Sequence, residues 1–401
     1  MKLRQWLLAF FLCVNLLLFS QEDRVPKFGN GILNVVDKDS TWSMKFGARV
    51  QFLTSVNWAE TRDDGWNDPR TNFLIRRARL KFAGFAFSPK LRYKIELGLS
   101  NRDMATRNEY TGNSPGIILD AVVMWNFYRN LELWAGQTKL PGNLERLISS
   151  GSLQLVDRSL LNARFNIDRD VGFQLHHHFY FTDNFLVREK LAFSQGEGRN
   201  VTTGNLGGYE YTARLELLPL GNFVNKGDFS GGDLSREKTP KLMVSGAYDF
   251  NQNAVKTRGN MGTYMVNDVG LYQTNISTLF LDALFKYKGM SFMGEYAHRD
   301  ARDPIAKNSD GSPTGEVVQV GEGFNFQAGY LFPKNLEIAG RYTRTELRMG
   351  QTALLPETQY TIGISKYIVG HNLKIQSDLN YLTTPNSISE LLYRLQLEIH
   401  F

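Results

Sequence analysis

Apolar and polar residues alternate with a period of two along most of this chain, and this pattern limits the folds open to it. In the clearest run, residues 42–58, the even positions are Trp, Met, Phe, Ala or Val apart from Thr54. The odd positions of the run are mostly polar or small. Successive side chains of a strand point to opposite faces, so this segment separates an apolar environment from a wet one.

The alternation predicts 16 strands, at residues 42–58, 73–86, 90–100, 116–127, 130–140, 171–180, 184–194, 208–218, 240–250, 276–287, 289–299, 322–332, 335–346, 357–367, 371–382 and 389–401. Helical periodicity intervenes only around residues 141–165, which disfavours a fold of alternating strands and helices. The connections alternate between short and long, as periplasmic turns and extracellular loops do in bacterial barrels. Residues 219–239 break this rule, and the sequence allows a hidden strand or a periplasmic excursion there.

The first residues have the features of a secretory signal peptide. Lys2 and Arg4 precede an apolar stretch at residues 6–19, and the small residue Ser20 comes before a polar segment. We therefore expect three parts: a signal peptide at residues 1–20, a periplasmic N-terminal segment at residues 21–41 and a transmembrane barrel at residues 42–401.

Strands that cross a membrane have to close into a barrel, because backbone groups in hydrocarbon must be paired. The predicted fold class is all-β, a transmembrane antiparallel β-barrel of about 16 strands with the third extracellular loop folded into the lumen. A barrel of that size leaves an aqueous channel. The mean hydropathy of −0.31 excludes a bundle of membrane helices, and the net charge of +6 is too small to indicate nucleic-acid binding.

The last predicted strand has an apolar face that ends on the terminal Phe401. A terminal aromatic residue on such a strand resembles the signal read by the barrel assembly machinery of the outer membrane. Together with the signal peptide, it predicts that the chain lies in the bacterial outer membrane, in contact with its lipid.

The densest basic cluster has four cations within residues 76–81. The alternation places Arg77, Arg79 and Lys81 on the lumen face, whereas Arg76 is out of phase and is expected at the rim. A guanidinium fork suits phosphate and carboxylate oxygens, so these residues are candidates for an anion path. The alternative interpretation is a ladder of crossed charges that only stabilises the barrel wall.

The connection at residues 141–170 is the longest, and it is rich in apolar residues for a solvated loop. These residues are Leu153, Leu155, Val156, Leu160 and Leu161. The composition predicts a loop that folds inward and constricts the pore, with Arg146, Arg158 and Arg164 at the narrowest point. The alternative is a loop packed on the outer rim.

Several motifs resemble those of one family, the phosphate-selective porins O and P. The motifs are Arg76-Arg77 entering an apolar strand, Gly136-Gln137-Thr138-Lys139-Leu140-Pro141 followed by Glu145-Arg146, Ser149-Ser150, Asp157-Arg158-Ser159-Leu160 and Arg169-Asp170-Val171-Gly172. The resemblance implies a homotrimer of 16-stranded barrels with the third loop in the lumen. It also implies that Arg76, Arg77, Lys139, Arg146 and Arg158 bind and pass anions.

The predicted function is passive diffusion of small anions, such as phosphate, with no cofactor, metal or reaction. The candidate path residues are Arg76, Arg77, Arg79, Lys81, Lys139, Arg146, Arg158 and Arg164. Three alternatives stay open: a general porin of low selectivity, a non-conducting barrel with a structural or secretion-associated role, and a barrel enzyme. The paired histidines His176 and His178 are interpreted as pore-lining polar residues.

Overall fold

The computed structural model describes residues 27–60, 65–104, 108–111, 116–202, 204–349, 352–353, 355–385 and 387–401. Sixteen antiparallel strands form a closed barrel. They are β1 (Trp42–Ala59), β2 (Arg70–Ala86), β3 (Ser88–Gly98), β4 (Ile118–Tyr128), β5 (Leu131–Lys139), β6 (Arg169–Tyr180), β7 (Leu186–Ser194), β8 (Glu210–Leu218), β9 (Lys241–Ala254), β10 (Thr274–Tyr287), β11 (Met290–Ala301), β12 (Val320–Phe332), β13 (Leu336–Met349), β14 (Glu357–Val369), β15 (Leu373–Thr383) and β16 (Glu390–His400). The expected signal peptide lies outside the described residues.

Each strand pairs with its neighbour in sequence, and the last strand pairs with the first. The seam between β1 and β16 runs from Arg49 opposite His400 to Ala59 opposite Glu390. Every strand predicted from the alternation overlaps one barrel strand, so the all-β barrel of 16 strands is confirmed. Closure leaves no unpaired edge, as backbone groups in hydrocarbon require.

The two faces of the barrel wall have opposite character. On β1, Val50 and Phe52 point outward with 39% and 41% of their surface exposed, whereas Gln51 between them is fully buried at 0%. Most inward positions of the other strands are also polar or charged, except on β7–β11, where apolar side chains such as Met243 and Phe280 point inward. The period of two therefore reflects an apolar outer surface around a polar and charged interior.

Short turns join the strands at one end of the barrel, the periplasmic end in bacterial barrels. Between β10 and β11 the turn consists of Lys288 and Gly289, with φ of 48° and 89°. Two positive φ values in a two-residue loop are the mark of a type I′ turn, whose twist matches that of the flanking strands. The longer connections lie at the opposite end, except residues 219–239 between β8 and β9, which lie at the end of the short turns.

The remaining elements are short. Leu33–Val36 and Thr352–Ala353 pair with β1 and β13, and three small hairpins occur within the long connections. Two helices, α1 (Leu144–Leu147) and α2 (Leu160–Phe165), lie in the third long connection. None of the helices in the described part of the chain combines the length and the apolar character that crossing a bilayer requires.

Candidate pore constriction

The third long connection, residues 140–168 (the inward loop), packs its apolar side chains inside the barrel. One cluster joins it to the barrel wall and to Phe223, through Leu144, Ile148, Leu153, Leu186, Leu218, Met243, Leu284 and Met293. A second joins Leu140, Leu161, Phe165 and Ile167 to Ala192, Ala247, Phe280 and Ala297. The loop therefore fills the half of the interior next to β7–β11, which explains its apolar composition.

Polar contacts fix the tip of the inward loop to the strands around it. The Gln154 amide donates to a Glu337 carboxylate oxygen at 2.7 Å and accepts from the Gln327 amide at 2.7 Å. The Val156 backbone N–H donates to Asp378 at 3.1 Å. On the seam side, the Arg49 guanidinium donates to the Ser150 hydroxyl at 2.9 Å. The loop is thus held from several directions at once.

Asp157 of the inward loop lies among three arginines. It accepts two hydrogen bonds from one Arg76 nitrogen at 2.7 and 2.9 Å, and lies 3.4 Å from Arg77 and 3.6 Å from Arg394. These guanidinium groups hold the pKa of the Asp157 carboxyl well below its usual value, against the opposing effect of burial. Asp157 is therefore a charged anchor between the loop and the barrel wall.

The expectation that Arg76 reaches the rim is wrong. In the register of β1 with β2, Gln51 lies opposite Arg77 and Phe52 lies opposite Ile75, so Arg76 is the extra residue of a β-bulge. A bulge adds one residue to a strand and changes the direction of its side chain. Both arginines of the pair consequently reach Asp157 inside the barrel.

Residues 219–239 (the plug segment) enter the barrel from the periplasmic end instead of forming a further strand. The Lys286 ammonium donates to the carbonyl oxygens of Gly227 at 2.8 Å and Ser230 at 2.7 Å, and also to that of Gly232. The plug segment meets the inward loop where the Gly231 N–H donates to the Ser152 carbonyl at 2.6 Å. A Cβ on Gly231 would lie only 2.5 Å from the backbone nitrogen of Gln154, so the close contact between the plug segment and the inward loop requires glycine at this position.

A cavity of about 420 Å³, the basic cavity, remains between the inward loop and strands β2–β7. Its cationic lining residues are Arg79, Lys81, Lys94, Lys139, Arg146, Arg158, Arg169 and Lys190. Its acidic lining residues are Glu96 and Asp120. The lining therefore carries many more positive than negative side chains, unlike the chain as a whole.

Five of these eight cations form ion pairs. Arg79 lies 2.5 Å from Asp103, Lys94 lies 2.6 Å from Asp120, and Arg169 lies 3.0 Å from the same Asp120. Arg146 and Lys190 pair with Asp168 and Glu216, respectively. These pairs neutralise part of the positive charge and hold the side chains in place.

The other three cations, Lys81, Lys139 and Arg158, form no ion pair within the described residues. Lys139 donates to the Arg146 carbonyl at 2.7 Å, and Arg158 donates to the carbonyls of Glu145 at 2.8 Å and Ile148 at 2.6 Å. Burial, and then the charges of Arg146 and Arg77, lower the pKa of Arg158. A carbonyl oxygen orients a cation without cancelling its charge, so the cavity keeps an uncompensated positive field.

The structure separates the sequence-predicted path residues into two groups. Arg79, Lys81, Lys139, Arg146 and Arg158 line the basic cavity. Arg76 and Arg77 form ion pairs with Asp157 instead. Arg164 forms an ion pair with Glu357 at 2.6 Å, away from the cavity. Arg164 therefore lies apart from Arg146 and Arg158, with which the sequence analysis had grouped it.

Sequence reasoning did not assign Lys94, Arg169 and Lys190 as path residues, and it did not identify the apolar part of the lining. The inward phase of the alternation already contained Lys94, Lys190 and Trp134. Phe229 of the plug segment also lines the cavity, and no periodic signal marks its position. Among the described residues, no group of three or more His, Cys, Asp and Glu side chains is arranged to hold a metal ion.

Solved outer-membrane proteins have the same fold at low sequence identity. The anion-selective porin from Comamonas acidovorans is 13% identical with a TM-score of 0.53, covering 90% of this chain and 100% of that one. OmpF of Salmonella typhi, in complex with daunomycin, is 12% identical with a TM-score of 0.54, covering 92% and 100%. The channel DcaP of Acinetobacter baumannii is 12% identical with a TM-score of 0.51, covering 92% and 99%.

Part of the chain matches the sequence model of a protein family. No individual curated protein shows a significant match to the chain. The family match and the barrel fold support an outer-membrane channel in a bacterium, and they point to a channel rather than an enzyme. The resemblance drawn from the sequence motifs is confirmed over residues 46–223, which match the family model of the phosphate-selective porins O and P.

Proposed function

We propose that this channel passes small anions, phosphate or similar, by passive diffusion through the basic cavity. The observation that carries the proposal is the set of three cations, Lys81, Lys139 and Arg158, that face the cavity and have no carboxylate partner in the part of the chain that the structure describes. An entering anion exchanges part of its hydration for ammonium and guanidinium contacts. The same positive charges repel an entering cation.

The two acids of the lining are consistent with transport rather than tight capture. Glu96 and Asp120 already bind Arg79, Lys94 and Arg169, so an anion competes with carboxylates for these cations. A selective channel has to attract its ion and also release it. We therefore assign Lys81, Lys139 and Arg158 as the attracting charges and the paired cations as weaker neighbouring sites.

The path assignment differs in part from the one based on sequence alone. We propose Arg79, Lys81, Lys139, Arg146 and Arg158 as path residues, together with Lys94, Arg169 and Lys190. Arg76 and Arg77 are proposed to act indirectly, because their ion pairs with Asp157 hold the inward loop that forms one side of the cavity.

The variant Lys81→Gln/Arg158→Gln should lose most of its preference for anions. At an effective dielectric constant of about 20, a unit charge several ångströms from the ion contributes roughly 1–3 kcal/mol, so we expect about a tenfold or larger fall in the ratio of anion to cation permeability. The measurement is the reversal potential of the purified protein in a planar bilayer under a KCl gradient. Arg164→Gln is the matched control, because it removes a loop arginine outside the cavity.

Each outcome of this experiment decides between the alternatives. A wild-type potential that favours chloride, with the chloride current blocked by added phosphate, supports the proposal. A neutral or cation-selective potential without block would indicate a general porin of low selectivity. A folded barrel that conducts no current would indicate a structural or secretion-associated role.

The homotrimer is also a proposal, and it rests on the family resemblance. Insertion by the barrel assembly machinery rests on the terminal Phe401, and cleavage of residues 1–20 rests on the sequence pattern. The native mass of the protein extracted from outer membranes tests whether it is a trimer. The N-terminal sequence of the same material tests whether residues 1–20 are cleaved.

A further inference from the structure

One side of the basic cavity is apolar and aromatic, although it faces a water-filled lumen. We propose that the cavity selects organic anions in which a carboxylate or phosphate is attached to a flat apolar ring, and that Trp134 and Phe229 form the surface that receives the ring. This inference rests on the proposed anion pathway, since it names the class of anion that the pathway prefers.

Trp134 of β5 is held in a fixed orientation at the cavity wall. Its ring lies parallel to the ring of His176 on β6, with centroids 4.2 Å apart and an interplanar angle of 15°. Its indole N–H donates to a Glu132 carboxylate oxygen at 3.1 Å, and the same carboxylate accepts from Arg92. The stacked pair is therefore a preformed flat surface, and both rings line the cavity.

Other apolar side chains extend this surface. Val122 and Met124 of β4 line the cavity beside Trp134, and Met124 is the register partner of Trp134 in the sheet. Phe229 approaches from the plug segment, with the Lys190 ammonium 5.1 Å and the Arg188 guanidinium 5.7 Å from its ring centroid. These cation–π contacts hold the phenyl ring next to a cation of the cavity.

An inorganic anion gains nothing from such a surface. The face of an aromatic ring carries the negative part of its quadrupole, so it does not attract an anion. Apolar surface in contact with water is unfavourable, and a ligand ring that covers it recovers that free energy. A cavity that combines three uncompensated cations with an apolar surface is therefore complementary to an anion that has both a charged group and a flat ring.

The test compares benzoate with acetate as blockers of the chloride current, because both present one carboxylate. In the wild type, we expect benzoate to block at about a tenfold lower concentration than acetate, because benzoate buries one face of its ring against the aromatic surface and acetate has no ring. Trp134→Ala should reduce this ratio several-fold and leave the acetate block unchanged. Trp125→Ala is the matched control, because Trp125 lies on the outer face of the adjacent strand with half of its surface exposed.

A second variant guards against a folding defect in the wall. Phe229→Ala changes a residue of the plug segment and leaves the sequence of the barrel strands intact, and it should also lower the ratio of benzoate block to acetate block. Equal block by the two anions in a wild type that prefers chloride would overturn this inference and leave the anion channel intact. A wild type without anion preference would overturn the proposed function itself, so the two failures are distinguishable.

Discussion

Asp157→Ala should destabilise the folded protein by about 3–5 kcal/mol, because removal of one partner leaves buried charges uncompensated. Arg76 and Arg77 form ion pairs with no other carboxylate among the described residues, whereas Arg394 pairs with Asp157 in addition to its closer partner Asp378. We also expect fluctuations of the open-channel current, since the tip of the inward loop loses its charged anchor. Urea unfolding of the refolded barrel, followed by tryptophan fluorescence, measures the first effect, and single-channel recording measures the second.

Asp183→Ala is the control for this substitution, because Asp183 is exposed in the turn between β6 and β7. Equal stability of the two variants, together with a quiet current from both, would show that Asp157 does not anchor the loop. The pH dependence provides a further check. Because the pKa of Asp157 is lowered in the folded protein, its contribution is complete above the unfolded value near 4 and is lost as the pH falls further.

The second large effect is expected from Lys286→Met, which keeps the length of the side chain and removes its charge. Three carbonyl oxygens of the plug segment lose their donor, and each one left unpaired in a buried site costs about 1–3 kcal/mol. The substitution therefore weakens the attachment of the plug segment to the barrel interior. We expect a higher single-channel conductance and faster proteolytic cleavage within residues 219–239.

Lys366→Met is the matched control for the plug, because this exposed lysine donates to the Lys334 carbonyl at a neighbouring turn and to no other acceptor among the described residues. Unchanged conductance and unchanged cleavage in Lys286→Met would mean that the plug segment is held by its other contacts. Those include the Asp233 carboxylate, which accepts from the Gly289 N–H at 2.7 Å.

The strands were predictable because each one has a different medium on its two faces. Val50 and Gln51 are neighbours in sequence, yet one faces outward and the other is buried in the interior. The alternation of apolar and polar residues with a period of two therefore identifies a strand without any information about the rest of the chain. The composition of the inward loop carried a similar signal, since Leu153, Leu155 and Val156 are buried inside the barrel.

The partners of the charged residues were not predictable in the same way. The bulge at Arg76 shifts the phase of β2 by one residue, and the alternation showed that Arg76 is out of phase but not that its partner is Asp157 of the inward loop. Arg158 and Arg164 are close in sequence, but the start of α2 at Leu160 separates them, and they have different partners: Arg158 donates to the Ile148 carbonyl within the loop, and Arg164 pairs with Glu357 on β14. Such contacts depend on how a loop is oriented against distant strands, which composition does not encode.

The anchors of the inward loop have a consequence for the order of assembly. The loop near residue 150 contacts Arg49 of the first strand, and residues 156 and 157 contact Asp378 and Arg394 of the last two strands. These contacts are separated by more than 200 residues in sequence at their longest, so they form late during folding. The inward loop has its full set of contacts only once the seam between the first and last strands is closed. We therefore expect the lumen to reach its final width no earlier than the closure of the barrel.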